Sequence, residues 1–98
     1  MFIVREIFHL QFGRYKEAKA LLDEAITKGL IKLPEGGKFL TDFTGPGYRL
    51  IFESPYKTLA DFETDLAREM SAEAWKDWYE RFKPYVNHSQ REILKQVG

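Results

Sequence analysis

The sequence predicts an α+β, ferredoxin-like fold, ordered β-α-β-β-α(α)-β, with a four-stranded antiparallel sheet carrying its helices on one face. Three observations predict it. An apolar, β-rich segment opens the chain. Two amphipathic helical stretches follow, the second divided and strongly aromatic. Between them, two short alternating segments meet at Gly45-Pro46-Gly47, a hairpin connection. The 98 residues leave room for one domain, 1–98.

Residues 2–12 read as the first strand. Phe2, Val4, Phe8 and Leu10 fall on one face, Ile3 and Ile7 on the other. A strand with one face in water would alternate cleanly, so this one is expected to be central and covered on both sides. Gly13-Arg14 breaks it. A helix is expected from Tyr15 to Lys28, with Tyr15, Ala18, Leu22, Ala25 and Ile26 as its apolar stripe and Gly29 as its left-handed stop. After the loop at Pro34-Glu35-Gly36-Gly37, Lys38 to Thr44 reads as a second strand and Tyr48 to Ser54 as a third, stopped by Ser54-Pro55. Thr58 is suited to cap a helix through Met70 that buries Leu59, Phe62, Leu66 and Met70. Ser71 can cap a further helix in which Trp75, Trp78, Tyr79 and Phe82 form an aromatic stripe, ended by Pro84. Ser89 to Val97 reads as a fourth strand; a short helix also fits.

A fold of this plan leaves one sheet face without helices. Apolar residues on both sides of the first strand therefore imply that a second copy covers that face, which predicts a homodimer.

Composition narrows the function. Fifteen basic and fifteen acidic residues cancel, which argues against general nucleic-acid or anionic-membrane binding. With no cysteine there is no disulfide, thiolate site or thiol nucleophile. The apolar start is four residues long and then charged, far short of the ~18 needed for a span, so a cytoplasmic protein is expected. Aromatic residues make up 15% of the chain, an excess that must fill a core, a pocket or an interface.

Arg5 and His9 share the odd-numbered face of the first strand with Ile3 and Ile7; Arg49 and Glu53 share one face of the third. Charges on central strands need partners or a cavity. Arg5, His9, Arg49 and Glu53 are thus candidate ligand-binding residues between sheets. There an arginine could hold a carboxylate or enolate oxygen and His9 could move a proton, making His9 and Arg49 the catalytic candidates. The same four residues also suit ion pairs that close a dimer. Trp75 and Trp78 are candidates for the wall of a pocket for a flat apolar ligand, or for plain packing. His9 and His88 are far apart in sequence and would need Asp42 or another carboxylate to form a metal site; no metal or cofactor is expected. The third strand lacks the leading base, small residue and later aromatics of an RNA-recognition strand, and Glu35-Gly36-Gly37-Lys38 lacks the context of a phosphate loop.

The sequence resembles the dimeric α/β-barrel superfamily, and within it NIPSNAP-type proteins. The likeness rests on Ile3 to Phe12 running into Gly13-Arg14 and an amphipathic helix, on Trp75, Trp78 and Phe82 before Pro84, and on Arg91-Glu92-Ile93-Leu94 near the end. Phe12 stands where such proteins commonly carry proline. The resemblance implies two sheets packed face to face, one from each subunit. It implies no one activity. An uncharacterised NIPSNAP-like dimer binding a small apolar ligand between the sheets is one expectation. A cofactor-free monooxygenase or isomerase using His9 with Arg49 or Arg5 is the alternative.

Overall fold

The computed structural model describes all 98 residues. In chain order they form β1 (Phe2–Leu10), α1 (Tyr15–Thr27), β2 (Lys38–Thr41), β3 (Arg49–Tyr56), α2 (Leu59–Met70), α3 (Glu73–Phe82), a 3-10 turn at Lys83–Tyr85, and β4 (Val86–Lys95). The sheet order is β2-β3-β1-β4 with every neighbouring pair antiparallel. This is the predicted ferredoxin-like plan, and β1 is central.

Element ends differ from the expectation where side chains intervene. β1 stops at Leu10 rather than Phe12, because the chain turns through Gly13 at φ +76°. β2 stops at Thr41 because Asp42 leaves the ladder to hold the turn: its carboxylate accepts from the Gly47 backbone N–H at 2.9 Å and from the Arg49 guanidinium at 2.8 Å. Tyr48 follows in the left-handed region (φ 56°), anchored by its carbonyl, which accepts from the Leu10 N–H at 2.8 Å. β3 runs on to Tyr56 through the expected stop at Ser54-Pro55. β2 begins opposite Glu53, so Pro55 lies where β3 has become an edge on that side. β4 is a strand, not a helix, and begins at Val86; it pairs with β1 along its length.

Helix α1 ends as Gly29 predicts. Gly29 has φ +70°, its N–H donates to the Ile26 carbonyl, and the Leu30 N–H donates to that of Ala25. Ala18, Leu22 and Ala25 are buried, whereas Ile26 is exposed. In α2, Thr58 caps as expected, accepting from the Asp61 N–H at 3.1 Å. Its buried face is narrower than the spacing predicts: Phe62 is buried and Leu66 half-buried, while Leu59 and Met70 at the two ends are exposed. Ser71 does not cap α3. Its hydroxyl donates back to the Arg68 carbonyl at 2.9 Å, and Ala72 precedes α3 without a side-chain cap.

The core lies between the sheet and the helices, around Leu10, Leu22, Leu50, Phe52, Trp78 and Phe82. Trp78 stacks on Phe82 with centroids 4.9 Å apart, and its indole N–H donates to the Leu21 carbonyl at 2.6 Å. That bond satisfies the one polar atom of the ring, so nearly the whole indole contributes burial without desolvation cost. Arg81 of α3 pairs with Glu24 of α1 across the helix surface, and Arg81 and Lys28 hold the Glu24 carboxyl down at about 2.

Candidate functional site

Strand alternation divides the sequence-predicted site between two faces. Arg5, His9, Arg49 and Glu53 lie on the helix-free face, while Trp75 and Trp78 reach the sheet from α3 on the other.

On the open face, residues directly opposite one another form rows across the strands. Leu94, Ile3 and Pro55 make an apolar row. Glu92, Arg5, Glu53 and Lys38 make the next, alternating in sign across all four strands. Within it Arg5 donates to Glu53 at 2.8 Å and lies 3.9 Å from Glu92. Gln90, Ile7, Ile51 and Leu40 form a mainly apolar row, and His88, His9 and Arg49 the last. His9 and His88, 79 positions apart in sequence, stack with centroids 4.1 Å apart. His9 Nε2 is buried without a hydrogen-bond partner. Arg49 is spent on Asp42, whose carboxyl it holds below the ordinary aspartate range. Both arginines are thus already paired with carboxylates, and neither shares an enclosed space with His9 inside one chain. Near the His9 end, Phe12 and Phe43 are exposed, and Phe12 touches Tyr48.

On the helix face, α2, α3 and the segment after α1 leave a cavity of about 110 Å³ against β1 and β3. Eleven of its sixteen lining residues are hydrophobic, which makes it a site for apolar matter. Phe8, Phe62, Leu66, Trp75, Trp78 and Tyr79 are among the apolar residues of the wall. Trp75 lies flat on Tyr79 with centroids 4.8 Å apart, so one wall is a stacked aromatic pair.

The polar lining is sparse and mostly acidic. Glu6 enters from β1 and is paired with Arg91 of β4, whose guanidinium covers the Phe62 ring at 5.2 Å. Tyr56 donates its hydroxyl to Asp65 at 3.0 Å, and burial with this bond pushes the phenol pKa up. Asp65 also pairs with Arg68. Glu69 has no ion pair; it accepts the Lys32 backbone N–H at 3.3 Å, and burial raises its pKa. Ser54 is the one polar residue in the buried set, and it lines the cavity.

An uncharacterised NIPSNAP domain protein from Burkholderia xenovorans superimposes with a TM-score of 0.83 at 16% identity, covering 99% of this chain and 95% of that one. A NIPSNAP family protein from Agrobacterium tumefaciens gives 0.82 at 20% identity, covering 98% of this chain and 85% of that one. This chain has the NIPSNAP-type fold. An antibiotic biosynthesis monooxygenase is also similar, with a TM-score of 0.71 at 14% identity and full coverage of both chains. No protein-family model and no curated protein matches the sequence.

Sequence reasoning missed Glu6, Ser54, Tyr56, Asp65 and Glu69 as lining residues. Glu6, Asp65 and Glu69 sit among residues that read as apolar stripes, Ser54 reads as a strand end, and Tyr56 lies beyond that expected end. A signal was present: Glu6 interrupts the run Phe2, Val4, Phe8, Leu10, and Asp65 and Glu69 stand three and seven places after Phe62, on the face of α2 that turns inward. Charges inside buried stripes mark a cavity as readily as charges on a central strand.

Proposed function

We propose that this protein is a one-domain, homodimeric, NIPSNAP-like protein of the cytoplasm that binds a small, mainly apolar molecule between its sheet and helices α2 and α3. The helix-side cavity carries this reading. It has the size class of cavities that take up one aromatic ring, of order 150 Å³ in the best-known engineered case. Its wall places two tryptophans beside the space, so occupancy has an optical readout. Titration with toluene should quench or shift tryptophan fluorescence saturably, and Trp75→Ala should weaken that response. Toluene and its amine, alcohol and acid analogues all leaving both fluorescence and thermal stability unchanged would remove the ligand-binding reading.

Dimerisation is supported by the open face. Rows that alternate between apolar and charged can meet their own copies, rotated by a two-fold axis, with opposite signs in contact. A net charge of zero adds no mutual repulsion. Light scattering at micromolar concentration should give twice 11.5 kDa; a clean monomer mass counts against the dimer. The second reading, a cofactor-free monooxygenase or isomerase at His9, draws on the unpaired Nε2. It needs a partner sheet to enclose that nitrogen and Arg5 or Arg49 to leave its carboxylate, and turnover lost in His9→Gln would be its signature.

A further inference from the structure

The ligand-binding reading leaves the chemical class of the ligand open, and the charges around the cavity narrow it. Four charged residues line the cavity: Glu6, Asp65 and Glu69 on one side of the ledger of sign, and Lys32 on the other. Lys32 is exposed, and its Cε lies 3.8 Å from where a Cβ on Gly29 would stand, so its stem runs along the end of α1. Glu6 and Asp65 have arginine partners, Arg91 and Arg68. Neither arginine lines the cavity. Glu69 has no hydrogen bond or ion pair to another side chain; burial raises its pKa, and Asp65 and Glu6 act on it as like charges while Arg68 acts from a distance as an opposite one. A half-buried carboxylate in such a place is left wanting a cation.

Two further features favour the same class. Trp75, stacked on Tyr79, and Phe8 line the cavity with aromatic rings, and a cation over an aromatic face is attracted by its quadrupole. Ser54, more than nine-tenths buried, lines the cavity with a hydroxyl oxygen that can accept a hydrogen bond from an ammonium N–H. Resting on the reading that the cavity holds a ligand, we propose that this ligand is an organic cation: a small aromatic or aliphatic body bearing one protonated amine, with Glu69 as its counter-ion. A carboxylate or phosphate ligand would meet three acidic residues, and a neutral hydrocarbon would leave Glu69 without a counter-ion and give the Ser54 hydroxyl nothing to bond.

Three probes of nearly equal shape test this: benzylammonium, benzyl alcohol and benzoate, titrated at pH 7.5 against the full chain with tryptophan fluorescence and thermal shift as readouts. Benzylammonium should bind at least roughly tenfold tighter than benzyl alcohol, and benzoate weakest. In Glu69→Gln the affinity ratio between benzylammonium and benzyl alcohol should collapse toward one. Benzyl alcohol or benzoate binding as tightly as benzylammonium overturns the cationic assignment but leaves the cavity reading standing. A ratio that survives in Glu69→Gln overturns Glu69 as the counter-ion. No saturable response to any probe overturns the cavity reading and this inference together. Should the variant not fold, the ranking of the three probes on the unmodified protein decides.

Discussion

The two faces of the sheet use similar residues to opposite ends. β1 presents Val4, Phe8 and Leu10 to the helices and Ile3 and Ile7 to the open side, so each face has apolar matter. On the open face every acidic or arginine side chain has an opposite charge within reach: Arg5 with Glu53 and Glu92, Arg49 with Asp42. On the helix face the charges that intrude are mainly carboxylates around a hollow, and one of them, Glu69, lacks an ion partner. Paired charges in rows suit a surface that meets its own copy. An unpaired charge beside aromatic rings suits a site that awaits something else.

The largest effect should come from emptying the helix-face core. Trp78→Ala removes a fully buried indole and the bond to Leu21, and should cost about 3–5 kcal/mol, read as a lower urea midpoint. A cost under ~1 kcal/mol would show that α3 is not held by this ring. On the open face, Ile51→Lys places a charge in the apolar row between Ile7 and Leu40. It should convert a dimer to a monomer by light scattering, while the monomer keeps its helical circular dichroism, because Ile51 is outside the helix-side core. An unchanged dimer mass would place the subunit contact elsewhere.

How much of this was legible in the sequence follows from which signals are local. The fold plan was, because Gly29, Thr58 and the hairpin at Gly45-Pro46-Gly47 act within a few residues of themselves. β1 as the central strand was also legible, since its two-sided apolar pattern has no other use. Strand ends were not. Pro55 and Asp42 owe their roles to where β2 starts and stops, a long-range matter of register. The candidate site mixed two faces because alternation assigns a side of a strand but not which side the helices take. Trp75 and Trp78 were read as a possible pocket wall, and they line the cavity; the charges opposite them come from β1 and α2, which only the tertiary packing brings together.

The Asp42–Arg49 pair sharpens the contrast at intermediate size. Asp42→Ala frees Arg49 and the Gly47 N–H together and should cost about 2 kcal/mol at pH 7. Because Arg49 lowers its folded-state pKa, Asp42 contributes stability above its ordinary value of 3.8 and loses it as pH falls through the folded value. The gap between parent and variant in urea midpoint should therefore close in acid. A gap that does not narrow as pH falls below 3.8 would assign the cost to the shape of the turn, not to the charge.

Glu69 should give the smallest change in stability, and one of opposite sign. Burial raises its folded-state pKa, so the protein folds more readily with this carboxyl protonated. That contribution is fully present below the ordinary value of 4.5 and is lost as pH rises through the folded value. At neutral pH the ionised carboxylate works against folding, and Glu69→Gln, which keeps an oxygen for the Lys32 N–H, should raise the urea midpoint slightly. The gain should shrink as pH falls toward 4, where the parent is itself neutral at this position. A residue that lowers stability in the empty protein and is kept beside aromatic walls is the expected mark of a binding site. If Glu69→Gln instead lowers the midpoint at pH 7, the carboxylate is a structural acceptor for Lys32, and the helix face resembles the open face after all.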